Sequence, residues 1–129
     1  MKFAKIVFWI AGLWGALILP PLYFMSNAIG RIHPPTITHP EFYYGFIGVA
    51  FAWQLAFFVI GANPARLRPI MIPAIFEKCS FAAAAFAIGA QGGVPQELLA
   101  DGAIDLFFAV LFLLAFFKTK AASSNPANT

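Results

Sequence analysis

Polar and charged positions divide the chain into four apolar runs, near residues 6–25, 42–62, 70–90 and 98–117. Each is close to the roughly 20 residues that a helix needs to cross a hydrocarbon core about 30 Å thick at 1.5 Å per residue. The spacing predicts an all-α integral membrane protein, a single four-helix transmembrane bundle over 1–120 with up-down-up-down topology, followed by a disordered tail at 121–129.

The connections refine this picture. Pro20-Pro21 removes two backbone donors and predicts a kink in the outer third of the first span. Ser26 to Glu41 carries Pro34-Pro35 and Pro40 and reads as a loop biased to extended geometry. Asn63 to Pro69 is short, which predicts that the second and third spans are antiparallel neighbours. Gln91 to Pro95 is a turn by composition. A rival reading treats the first run as a signal peptide cleaved after Ala28, but its length of about 20 residues exceeds a signal core of about 7 to 15.

Composition agrees with a bilayer as solvent: 61% of residues are hydrophobic, 10% are charged and the mean hydropathy is +0.82. The net charge of +3 is dispersed along the chain, so no contiguous basic surface for nucleic acid is expected. A lone cysteine, Cys79, excludes an intrachain disulfide. Placing both termini and the 63–69 connection in the cytoplasm collects Lys2, Lys5, Arg66, Arg68, Lys118 and Lys120 there and leaves Arg31 outside. Positive charge favours the cytoplasmic side, so the expected orientation is N-in and C-in. Tyr23, Tyr43 and Tyr44 then fall at the outer interface.

The third run holds the intramembrane charges. Its Ile and Phe residues contribute about −2 to −4 kcal/mol of insertion free energy, whereas Glu77 and Lys78 each cost up to about 3 kcal/mol at the bilayer centre. Glu77 therefore needs a protein partner, and Lys78 is expected to snorkel toward the cytoplasmic headgroups. Gln54 lies at a similar depth on the second run, which predicts an intramembrane polar cluster of Gln54, Glu77 and Lys78. Such a cluster is either a proton or cation site or an ion pair that fixes helix register. At helical spacing, Glu77, Ser80 and Ala84 share a small or polar stripe, and Gly45, Gly48, Ala52 and Ala56 form another; both are expected to be helix-packing seams. Gly12 and Gly15 are three apart, so the first run lacks a GxxxG motif.

Near the outer surface a second group is expected: Arg31, His33, His39, Glu41, Asp101 and Asp105, together with Glu97. Imidazole and carboxylate could hold a divalent ion, but His33-Pro34 and His39-Pro40 lack helical ligand spacing, and the expectation is solvated charge with no metal. Both His lie in this loop, which excludes a bis-His haem between helices, and one Cys cannot run thiol exchange. No metalloprotease motif, phosphate loop or Ser/His pair occurs within the spans. No enzymatic activity and no cofactor are expected.

The stretch Thr38-His39-Pro40-Glu41-Phe42-Tyr43-Tyr44-Gly45-Phe46-Ile47-Gly48, with Ala52-Trp53-Gln54 and Pro69 to Lys78, resembles a group of small bacterial four-helix inner-membrane proteins. In size and helix count the chain is also similar, more loosely, to DoxX-like membrane proteins. The resemblance implies a bacterial inner membrane and supplies no catalytic residue. The first span also lacks the acidic residue expected of small multidrug exporters. Two functions fit these features. One is a non-enzymatic protein acting through helix association, as an accessory subunit of a larger membrane complex or a homo-oligomer. The other is a small carrier or binding protein for a lipid-like molecule, a quinone or a cation at the Glu77 region.

Overall fold

The computed structural model describes residues 2–120, and the expected tail at 121–129 lies outside the described residues. Its helices are α1 (Lys2–Leu22), α2 (Ser26–Ile32), α3 (Pro40–Ala62), α4 (Met71–Gly89, preceded by a 3-10 turn at Arg68–Ile70) and α5 (Gln96–Lys118). Among the described residues there is no strand. Four helices are long and apolar enough to cross a membrane: α1, α3, α4 with its 3-10 turn, and α5. Large apolar side chains such as Ile10, Leu17, Val49, Phe107 and Val110 face outward, as they should where the surroundings are lipid.

In the first third of the chain, Pro20 and Pro21 lie in the last turn of α1. The helix stops at Leu22, and Tyr23 and Phe24 donate back to the carbonyls of Pro20 and Pro21 in a terminal turn. The stretch expected to be extended contains the seven-residue helix α2. Its cause is local: the prolines of that stretch are confined to its second half, and Ser26 to Ile32 has none to interrupt helical bonding.

Packing is strongly uneven. α1 lies along α3 and α4 along α5, and α1 also touches α5. Paired positions fall as the partner's rise: Trp9 with Phe58 and Tyr43 with the Leu22 carbonyl, then Arg68 with Phe116 and Lys78 with Asp105. The paired helices are therefore antiparallel. At the α1–α3 seam Gly15 and Gly61 permit close approach: a Cβ on Gly15 would collide with the Gln54 side chain, and one on Gly61 would sit 2.6 Å from Trp9 Cδ1. Phe8, Phe57 and Phe112 are fully buried where α1, α3 and α5 converge, with Phe8 and Phe112 stacked at 4.2 Å and Phe57 edge-on to Phe112 at 5.0 Å. In a bilayer the gain from this cluster comes from close packing, because lipid tails are as apolar as the rings themselves.

α3 and α4 are not packed neighbours as the short connection suggested. They scarcely touch, and the Phe46 and Phe81 rings, 5.9 Å apart, reach across the gap. A short connection fixes how two helices are joined but not how closely they lie along their length. Here each is held by its other partner.

The basic end is well tied. Asn63 Oδ1 accepts the Arg66 amide at 3.3 Å, Arg68 Nε donates to the Phe116 carbonyl at 3.0 Å, and Lys118 Nζ sits 4.4 Å from the Phe3 ring centroid. The start of α1, the α3–α4 connection and the end of α5 thus share one end of the molecule. At the other end Tyr23 stacks on Tyr44, which meets Tyr43 edge-on.

Candidate functional site

Lys78 is the centre of the site. It points inward from the middle of α4 and is only 4% exposed. Its Nζ lies 3.1 Å from Asp105 Oδ1 and 3.9 Å from Glu77 Oε2. The Phe57 and Phe108 ring centroids are 5.2 and 5.7 Å from that nitrogen. Lys78 therefore does not snorkel; a carboxylate on α5 holds it inside. Asp105 is correspondingly absent from the outer surface, standing about 13 Å along the axis from the start of α5. Such a pair offsets the desolvation of both charges through short-range attraction in a low dielectric.

Gln54 does not join this pair. It is 2% exposed, its Nε2 donates to the Ala50 carbonyl at 2.8 Å, and its side chain occupies the space above Gly15 of α1. The Gln54 NH2 finds its acceptor on the preceding turn, while Oε1 has no partner among the described residues, so equal depth did not bring Gln54 to Glu77. The cluster that forms is Glu77, Lys78 and Asp105, with Asp101 one turn from Asp105 toward the tyrosine end. Ser80 Oγ donates to the Glu77 carbonyl at 3.0 Å, and Glu77 Oε2 is buried with no hydrogen-bond donor among the described residues.

Two spaces meet at this cluster. A small inner cavity of about 110 Å³ is bounded by Trp14, Gly15, Lys78 and Asp105, among others. A groove of about 1310 Å³ runs between α3 and α4 past Trp53, Pro73, Phe76 and Leu98. Glu77, Asp101, Phe46 and Phe81 border both spaces, so the two carboxylates stand where the groove meets the inner cavity.

The small-residue stripes are not the packing seams expected. Gly45, Ser80 and Ala84 line the open groove, and a Cβ on Gly45 would meet nothing within 4 Å. Ala52 is exposed, and Gly48 and Ala56 are half-buried, Gly48 near the Tyr23 hydroxyl. Close packing instead uses Gly12, Gly15 and Gly61 against α3 or α1, and Gly102 against Ala85.

The outer-face group also separates. His33 Nε2 lies 3.6 Å from Glu97 Oε2, His39 Nδ1 lies 3.1 Å from Glu41 Oε1, and Arg31 is exposed. Asp105 belongs to the inner site, and Asp101, itself exposed, stands at its rim. Among the described residues no three His, Cys, Asp or Glu side chains come together as a metal would require.

What the sequence reading missed is the partnership of Lys78 with Asp105. The signal was a charge of each sign within separate apolar runs, where each is costly unless paired. Comparisons with known protein families, with curated proteins and with solved structures found no match.

Proposed function

We propose that this chain is a non-enzymatic, multi-pass protein of a bacterial inner membrane that binds an amphipathic molecule entering sideways from the bilayer between α3 and α4. In this reading it is an up-down-up-down four-helix bundle with both ends cytoplasmic, supported by the gathering of Lys2, Lys5, Arg66, Arg68 and Lys118 at one end. The carrying observation is the separation of α3 from α4, which leaves an apolar groove leading to half-buried Glu77 and, through it, to the Lys78–Asp105 pair. At about 1310 Å³ the groove exceeds the roughly 300–1,000 Å³ of common small-molecule sites and has the few polar groups and apolar walls that such sites use. A through-channel is less well supported, because Phe8, Phe57 and Phe112 fill the centre on the side toward the basic end.

The association reading seats a helix of another subunit or a second copy in the same groove, whose walls include Gly45, Ser80 and Ala84. A photoreactive benzoylphenylalanine at Ala84, compared with one at the lipid-facing Val110, separates the two. Irradiated in native membranes, Ala84 should capture a small amphiphile enriched over the lipids captured at Val110. A polypeptide cross-linked at Ala84 would replace ligand binding with association, and identical lipid adducts at both positions would leave no selective groove.

A further inference from the structure

The charges around the two spaces are unbalanced. α4 and α5 bring three carboxylates, Glu77, Asp101 and Asp105, against one ammonium, Lys78. The wall residues from α1, α2 and α3 are all uncharged. Lys78 Nζ is hydrogen-bonded to Asp105 at 3.1 Å, lies at 3.9 Å from Glu77 Oε2, beyond hydrogen-bond distance, and borders the inner cavity but not the groove. What the groove meets is Glu77 and Asp101, and Glu77 Oε2 is a buried acceptor still lacking a donor.

A ligand completing this site has to supply donors and positive charge. An anionic headgroup would face two carboxylates, and the one ammonium beside them, Lys78, is already hydrogen-bonded to Asp105. A neutral hydroxyl supplies a single donor, whereas an ammonium supplies three and bonds carboxylates about twice as strongly as a neutral donor does. The apolar stretch on the basic-end side of Glu77, formed by Trp53, Pro73 and Phe76, then receives a tail. On that side the α4 wall from Glu77 to Pro73 runs for about 6 Å, enough for the first few methylenes of a tail.

Resting on the ligand-binding reading above, we propose that the groove's occupant is a single-tailed membrane amphiphile with a protonated amine headgroup. The ammonium lies between Glu77 and Asp101, and the tail lies along Trp53, Pro73 and Phe76.

The test uses the full chain in phosphatidylcholine nanodiscs, with dodecylamine, dodecanol and dodecanoate as probes and retained adducts counted by native mass spectrometry. Wild type should retain dodecylamine about tenfold more than either other probe, and the E77Q/D101N double variant should lose that preference. A84W, which fills the groove from a wall position, should retain none of the three. Equal retention of all probes by wild type leaves the groove a ligand site and overturns the amine. The same follows if E77Q/D101N keeps the preference. Failure of wild type to retain any probe, or undiminished retention by A84W, overturns the groove reading and the amine with it. Helical circular dichroism of each variant in the same nanodiscs separates loss of binding from loss of fold. If E77Q/D101N does not fold, the single variant D101N takes its place, with the preference expected to fall.

Discussion

Lys78 and Asp105 face each other at 3.1 Å from the middles of α4 and α5, and this contact makes α4 viable as a membrane span. Removing one partner leaves the other charge buried and uncompensated, which costs about 3–5 kcal/mol. Lys78→Met should therefore lower the unfolding midpoint in detergent markedly, as should Asp105→Leu. The Lys78→Met/Asp105→Leu double variant should recover most of the loss, because two apolar side chains in place of a buried pair are close to neutral. Additive losses in the double variant would show that the pair does not hold the helices together.

Gly15 and Gln54 make a second testable contact. An added Cβ on Gly15 would lie 2.0 Å from Gln54 Oε1, so Gly15→Ala must push the Gln54 amide aside. Overpacking of this kind costs about 1–3 kcal/mol. Gln54→Ala removes the obstruction, and a double-mutant cycle should show Gly15→Ala to be nearly harmless in that background. An unchanged penalty would mean that the Gln54 side chain does not occupy the space over Gly15.

Much of this architecture was legible in advance because membrane spans announce themselves by length and apolarity, as α3 and α5 do. The site was less so. Glu77 was found as an intramembrane charge, but its surroundings depended on which helices pack, and no periodicity in the runs encodes that choice. A stripe such as Gly45, Ser80 and Ala84 looks the same in sequence whether it seals a seam or lines a groove. Asp105 was grouped with the outer-face charges, yet a buried lysine on the neighbouring helix pairs with it inside. Short-range features, the Gln91 to Pro95 turn among them, were readable because glycine at φ 79° and proline act locally.

The proposed orientation predicts which loops a membrane-impermeant maleimide can reach. In a Cys79→Ala background, His39→Cys should be labelled on intact cells, whereas Arg66→Cys should react only after the membrane is opened. Both positions are exposed and lie beside the ends of α3, so protein burial does not confuse the readout. Labelling in the reverse pattern would invert the topology.

Ala84 and Ala85 are consecutive on α4 but have different neighbours, and this contrast tests the separation of α3 from α4 directly. Ala85 is 3% exposed and packs toward Gly102 of α5, while Ala84 lines the groove. Ala85→Phe forces a ring into an occupied seam and should cost about 1–3 kcal/mol or more. Ala84→Phe has room, so it should leave the unfolding midpoint within about 0.5 kcal/mol of wild type, as for substitutions away from packed contacts. The helix propensity of Phe acts equally at both positions and cancels in the comparison. Equal destabilisation by the two variants would mean that α3 closes against α4 in the membrane, leaving no groove for a ligand. A harmless Ala84→Phe with a damaging Ala85→Phe would establish that α4 is held from one side alone.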